Sequence, residues 1–185
     1  MAALFEQNNV FGIETPVQLY AKLVQEFDDA CEDPGSGRHA MNFAITAYHL
    51  TEWVWKDLLK EDEAKRRELG IGKSIESFKG WIAEKSIWTA QMQDLANGSK
   101  HFQAKGLPIL RHKVGPLNTA AFNTLAFNEA AMILMVEMGE LDGIPHFVPA
   151  THLFEVVLRF WRDFLRHHCP YGGIVPAGRT RPSDE

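Results

Sequence analysis

Apolar residues recur at helical spacing in four long stretches of the chain, and most of the boundaries carry a start or stop signal. Thr15-Pro16-Val17-Gln18 opens the first: Thr15 is a fit N-cap, Pro16 suits the first helical position, and Gln18 can close a capping box. Val17, Tyr20, Val24, Phe27 and Cys31 continue its stripe until Asp33-Pro34-Gly35-Ser36-Gly37 ends it. The second runs from about Ala40 to Lys60, with Phe43, Ala47, Leu50, Val54 and Leu58 in line and Ile45, Trp55 and Leu59 widening the stripe. So wide an apolar face predicts a helix packed on more than one side. Ser74 caps the third, which holds Ile75, Phe78, Trp81, Ile82, Ile87, Trp88 and Leu95, with Gly80 as its expected dividing point. Thr151 is the expected cap of the last, whose apolar face is Leu153, Val156, Val157, Phe160, Trp161 and Phe164. Glu155, Arg159, Asp163 and His167 form an i,i+4 ladder on its opposite side, and Cys169-Pro170 stops it.

The intervening segments read differently. Glu61 to Glu68 is a run of charge, expected as a solvated extension stopped by Gly70 or Gly72. After Phe102, Gly106, Pro108, Gly115 and Pro116 break any helix. Phe122–Phe127 and Met132–Met138 are strand candidates, and Leu141-Asp142-Gly143 is a tight turn with Ile144–Val148 returning. Residues 110–149 therefore read as a small antiparallel sheet or hairpin, with a helix over Glu129–Glu137 as the competing assignment. The fold class is mainly α: an antiparallel bundle of about four long helices with a β-hairpin inserted before the last one. Residues 1–14 read as an arm, 15–171 as one domain and 172–185 as a flexible tail.

Composition changes this picture little. At 185 residues the chain is long enough for one sizeable core, and 45% apolar with 23% charged residues is ordinary for a globular domain. A net charge of −5 argues against a general nucleic-acid footprint, although Lys100, His101, Lys105, Arg111, His112 and Lys113 offer a local basic patch. Cys31 and Cys169 have no metal-like spacing and suggest no disulfide framework. No signal-peptide pattern or long apolar run is present, which predicts a cytoplasmic protein with free thiols and no membrane partner. Phosphate-binding glycine loops, nucleophile elbows and Cys/His zinc patterns are missing from the sequence.

Candidate chemistry concentrates in Asp94-Leu95-Ala96-Asn97-Gly98-Ser99-Lys100-His101-Phe102. Asp94, Asn97 and His101 are three and four apart, so they share one face if helical geometry persists through Gly98. A carboxylate, an amide and an imidazole in a row suit proton transfer, polar binding or metal ligation. The same residues also read as a helix C-terminus, with Asn97 and Gly98 as the stop and Lys100 and His101 meeting the negative helix end. His49 and Glu52 sit one turn apart beside Trp53, at the expected edge of the core. Facing across the bundle, His49, Glu52, Asp94 and His101 would make a ligand set for a divalent transition metal such as zinc, manganese or iron. The order His-x-x-Glu is the reverse of the Glu-x-x-His pattern of carboxylate-bridged di-metal bundles. Arg162-Asp163-Phe164-Leu165-Arg166-His167 places an arginine, a polar residue and a histidine on the last helix. The five tryptophans read as core and rim packing, with base stacking open to an exposed one.

Two segments together carry a resemblance: Ala47-Tyr48-His49-Leu50-Thr51-Glu52-Trp53-Val54 and Asp94–Phe102. They resemble small bacterial and phage proteins of about this length and, distantly, the HEPN superfamily of short α-helical bundles. That family often dimerises, and many members are metal-independent ribonucleases of defence and toxin systems. Its signature is Arg, four to six residues, then His, usually with a polar residue after the Arg. Here Asn97 and His101 match the polar residue and the histidine, while Ala96 occupies the arginine position. Arg162–His167 matches the whole pattern. The resemblance covers the helical part of the chain and implies a homodimeric binder of RNA or a nucleotide. In its catalytic form His101 is general acid/base, Asn97 orients substrate, Lys100 offsets phosphate charge and Asp94 holds the His101 tautomer. In that form no cofactor is needed. The competing expectations are the metal-binding bundle and a non-catalytic structural or interaction protein with a protein partner.

Overall fold

Thr15 opens α1 (Pro16–Glu32) as the sequence predicts: its hydroxyl accepts from Gln18 N–H, and the Gln18 side chain accepts from Thr15 N–H. This computed structural model describes residues 12–98, 110–115, 131–141 and 144–169. The stretch at 1–11, the strand candidate Phe122–Phe127, half of the basic patch (Lys100, His101 and Lys105), and the tail 172–185 lie outside the described residues. Within the patch, Arg111, His112 and Lys113 belong to a strand.

Helix α2 (Gly37–Val54) starts three residues earlier than the stripe suggests, because Ser36 accepts from His39 N–H and so caps it. It passes into one turn of wider π-helix at Trp55–Leu59. The predicted stripe is the core: Phe43, Ala47, Leu50, Val54, Leu58 and Leu59 are all buried. Phe43 stacks on Phe154 at 4.2 Å. In the α1 stripe Tyr20, Val24 and Phe27 are buried, Val17 is half-buried and Cys31 is exposed.

The charge run is not a solvated extension of α2. It forms a separate helix, α3 (Glu63–Leu69), capped by the Asp62 carboxylate and ended by Gly70 in the left-handed conformation, φ 71°. Its cations close two other helix ends. Arg66 is buried, and its Nη1 donates to Leu59 O at 2.6 Å and to Lys60 O at the end of the π turn. Lys65 Nζ donates to His168 O at 2.9 Å, at the end of the last helix. Helix C-termini carry orphan carbonyls and negative potential, so cations are well placed there.

The third stretch divides at Ser86, not at Gly80, giving α4 (Ile75–Lys85) and α5 (Ile87–Gly98). Ser86 Oγ meets both Thr89 N–H and Thr89 Oγ1 and so starts a new helix. Gly80 lies inside α4 with open space where a side chain would be, so nothing there forces a break. Ile87 is exposed by 54%, outside the predicted apolar face.

Strands β1 (Leu110–Gly115), β2 (Ala131–Leu141) and β3 (Ile144–Pro149) form an antiparallel sheet in that order. Residues 131–137 are therefore strand, which settles the competing helix over Glu129–Glu137 there. In β2, Leu134 and Val136 join the bundle core, and Leu134 N–H donates to Pro34 O in the α1–α2 connection at 2.9 Å. This bond ties the sheet to the helices. Pro145 and Pro149 sit on β3, an edge strand, where a missing N–H is tolerated.

Helix α6 (Ala150–His168) follows β3 directly. Thr151 is not its cap; it is buried in the first turn, and Pro149 precedes the helix without a side-chain cap. The apolar face is wider than predicted, since Phe154, Leu158 and Leu165 are buried beside Leu153, Val157, Trp161 and Phe164. The result is mainly α, a helical bundle with an antiparallel β insert before the last helix. None of the helices described is long and apolar enough to cross a membrane.

Candidate functional site

Helices α2, α4 and α5 meet around a surface hollow of about 200 Å³. Tyr48 and Thr51 come from α2, Lys79 and Ile82 from α4, and Thr89, Ala90, Gln93 and Asp94 from α5. The floor is made by helix faces already committed to the core: Ile82, Thr51 and Thr89 are all buried. The polar groups at the rim are there because the helices turn their outer faces away from that core.

Two of them on α5, Gln93 and Asp94, have no side-chain hydrogen bond or ion pair among the described residues, and neither has Asn97, which lies one turn beyond Asp94 and outside the lining. Asp94 is exposed, and Gln93 and Asn97 are half-buried. Asp94 and Asn97 therefore do lie on one face, because α5 runs unbroken to Gly98. Lys100 and His101, the other half of the predicted row, lie outside the described residues.

Across the hollow, Lys79 Nζ stands 5.7 Å from the centre of the Tyr48 ring and 3.4 Å from Glu76 Oε1. The Tyr48 phenol is raised from its ordinary value, by burial first and by the nearby Glu52 carboxylate second. Glu52 is at the same time 3.3 Å from His49 Nδ1. His49 and Glu52 thus pair with one another on the outer side of α2; His49 is exposed, not at the core edge, and neither residue lines the hollow.

Among the described residues no group of three or more His, Cys, Asp and Glu side chains comes close enough to hold a metal ion. His49, Glu52 and Asp94 therefore do not form such a group by themselves; the fourth member of that set, His101, is outside the described residues.

The arginine–histidine pattern of α6 is fully described. Arg162 Nε donates to Asp163 Oδ1 at 3.0 Å, and the exposed His167 places Nδ1 2.6 Å from Asp163 O. Beneath it Tyr20 donates to Leu158 O at 3.4 Å. Burial pushes the Tyr20 phenol up to about 12, against the opposing pull of Arg162 and Arg166. Tryptophans behave as predicted for packing: Trp55 and Trp161 are buried and Trp53, Trp81 and Trp88 half-buried, so none stands fully exposed as a stacking platform.

Tyr48, Thr51, Lys79, Thr89 and Gln93 were not singled out by sequence reasoning. The available signal was a threonine inside each apolar stripe, Thr51 and Thr89, where a purely packing role favours an aliphatic residue. Comparison with known proteins adds no relative: no family model matches the chain, and no curated protein or solved structure matches it.

Proposed function

We propose that this chain is a HEPN-like helical bundle that binds RNA or a nucleotide at the end of α5. The observation that carries the reading is the pair of partnerless side chains Gln93 and Asp94 opening onto a hollow that holds one aromatic ring and one ammonium group, with Asn97 one turn beyond them on α5. Single-stranded RNA is recognised through such groups: a ring against an unstacked base, hydrogen-bonding side chains on the base edge and a cation on phosphate. With a net charge of −5, affinity comes from this local set rather than from the field of the whole protein. In the catalytic form, His101 transfers the proton at the ribose 2′-OH or the leaving 5′-oxygen, Asn97 orients the substrate and Lys100 offsets phosphate charge. The protein acts in the cytoplasm as a homodimer.

The test is incubation of a mixed RNA pool in EDTA with wild type and His101→Ala, alongside a binding measurement on the same RNA. Cleavage lost in the variant makes the site a metal-independent ribonuclease. Binding without cleavage, weakened in Lys79→Gln, makes it a binding module. The absence of both binding and cleavage overturns the reading.

A second location is favoured by one observation: Arg162 and His167 both engage Asp163 on α6. EDTA-resistant cleavage that survives His101→Ala and is lost in His167→Ala moves the chemistry there.

A further inference from the structure

We propose that the α2–α4–α5 hollow takes a single guanine base, with Asp94 reading its edge and Lys79 holding the attached phosphate. This rests on the nucleotide reading above and names the ligand of that same site.

Size is the first argument. A volume of about 200 Å³ falls below the ~300–1,000 Å³ typical of drug-sized ligand pockets, so the hollow holds one ring system and not a dinucleotide. Charge is the second. The lining carries one cation, Lys79, and one anion, Asp94, on different helices. A nucleoside monophosphate presents the matching pair: an anionic phosphate at one end and hydrogen-bond donors at the other.

Edge chemistry selects the base. The two oxygens of the Asp94 carboxylate are acceptors only, and they make no hydrogen bond or ion pair among the described residues. Guanine offers two adjacent donors, N1–H and the N2 amino group, which meet both oxygens in the same forked geometry that an arginine uses on a carboxylate. Adenine and cytosine place a ring-nitrogen lone pair beside their single amino group, and uracil flanks its one N–H with carbonyl oxygens. Each of those sets a lone pair against the carboxylate, which adds a repulsive element to the missing bond. Gln93, next to Asp94 and equally unpartnered, supplies an amide N–H for guanine O6. The Tyr48 ring, which lines the hollow 5.7 Å from Lys79 Nζ, contributes a flat wall for the base.

The experiment is calorimetric titration of the full chain with 5′-GMP, 5′-AMP, 5′-CMP and 5′-UMP, and with a mixed-sequence RNA decamer. It is repeated on Asp94→Asn, an exposed isosteric change, and on Lys79→Gln, with circular dichroism confirming that both fold. GMP is expected to bind roughly tenfold or more tighter than the other three, as one good bidentate contact discriminates. Asp94→Asn is expected to erase the preference, and Lys79→Gln to weaken all nucleotides while leaving the order intact. Equal binding of the four nucleotides, a GMP preference that persists in Asp94→Asn, or RNA binding with no mononucleotide binding overturns the guanine assignment and leaves the RNA reading standing. No binding of any nucleotide or of the RNA overturns both.

Discussion

Replacing Arg66 by Met is predicted to destabilise the fold by about 2–4 kcal/mol, although the residue sits in a segment that looks like a solvated run of charge. Met keeps most of the apolar stem and removes the guanidinium. Two hydrogen bonds go with it, to Leu59 O and Lys60 O. A bond from a charged donor contributes roughly 1.5–3 kcal/mol where its acceptor is cut off from water. That full value applies to Leu59 O, since Leu59 is 0% exposed. Lys60 is exposed, so water replaces much of the second bond and its share is about 0.5–1 kcal/mol. The control is Arg67→Met one residue on, a side chain 77% exposed and paired with Glu63, where a change within about 0.5 kcal/mol is expected. Urea unfolding of the three proteins measures the difference. In thermal terms it amounts to a fall of roughly 5–15 °C for a chain of this size. If Arg66→Met unfolds within 0.5 kcal/mol of Arg67→Met, the two carbonyls do not need the guanidinium and α3 is not a cap on α2. Greater stability would mean that desolvating the cation costs more than its bonds return.

Other outcomes follow from the same geometry. Phe43→Ala, at a fully buried ring stacked on Phe154, is expected to cost about 3–5 kcal/mol in the same urea assay. Tyr20 has a folded-state pKa above its unfolded value of about 10, so its stabilising share is complete below pH 10 and is lost as pH rises towards about 12. Unfolding midpoints of wild type and Tyr20→Phe should therefore converge across pH 10–12, and parallel curves would refute the assignment. Thr15→Ala removes the α1 cap and should cost about 1 kcal/mol, read by urea unfolding.

The helices were legible because their information is local. A stripe at 3.6-residue spacing and a Thr-Pro-x-Gln start mean the same thing wherever the helix docks, and α1, α2 and α6 follow theirs closely. The roles of Arg66 and Lys65 were not legible, because the carbonyls they meet belong to other elements, one of them 103 residues away. β1 was missed as an individual strand because Arg111-His112-Lys113 reads as basic surface; its strand character comes from pairing with β2. At the site, Asp94 and Asn97 stood out by spacing on one helix. Tyr48 and Lys79 did not, since only the packing of α2 against α4 and α5 brings them to the same hollow.

The position of Ala96 bears on where any ribonuclease chemistry sits. Successive helical residues differ by about 100° in direction, so a helix that turns Asp94 and Asn97 outward turns Ala96 inward. Ala96 is accordingly buried. An arginine there would meet the core instead of a phosphate, and Ala96→Arg is expected to lower stability without creating activity, as thermal unfolding beside the RNA assay would show. In the proposed reading the α5 row binds, and Lys79 from α4, which lines the same hollow as Asp94, supplies the cation that residue 96 cannot present. On α6 the arithmetic differs. Arg162 and His167 are five residues apart, about 140° around the helix, and neither is turned fully inward. Asp163 spans that angle, using its carboxylate for Arg162 and its carbonyl for His167. The two ends of the proposed activity, recognition and proton transfer, therefore need not share a helix, and the paired His101→Ala and His167→Ala variants separate them.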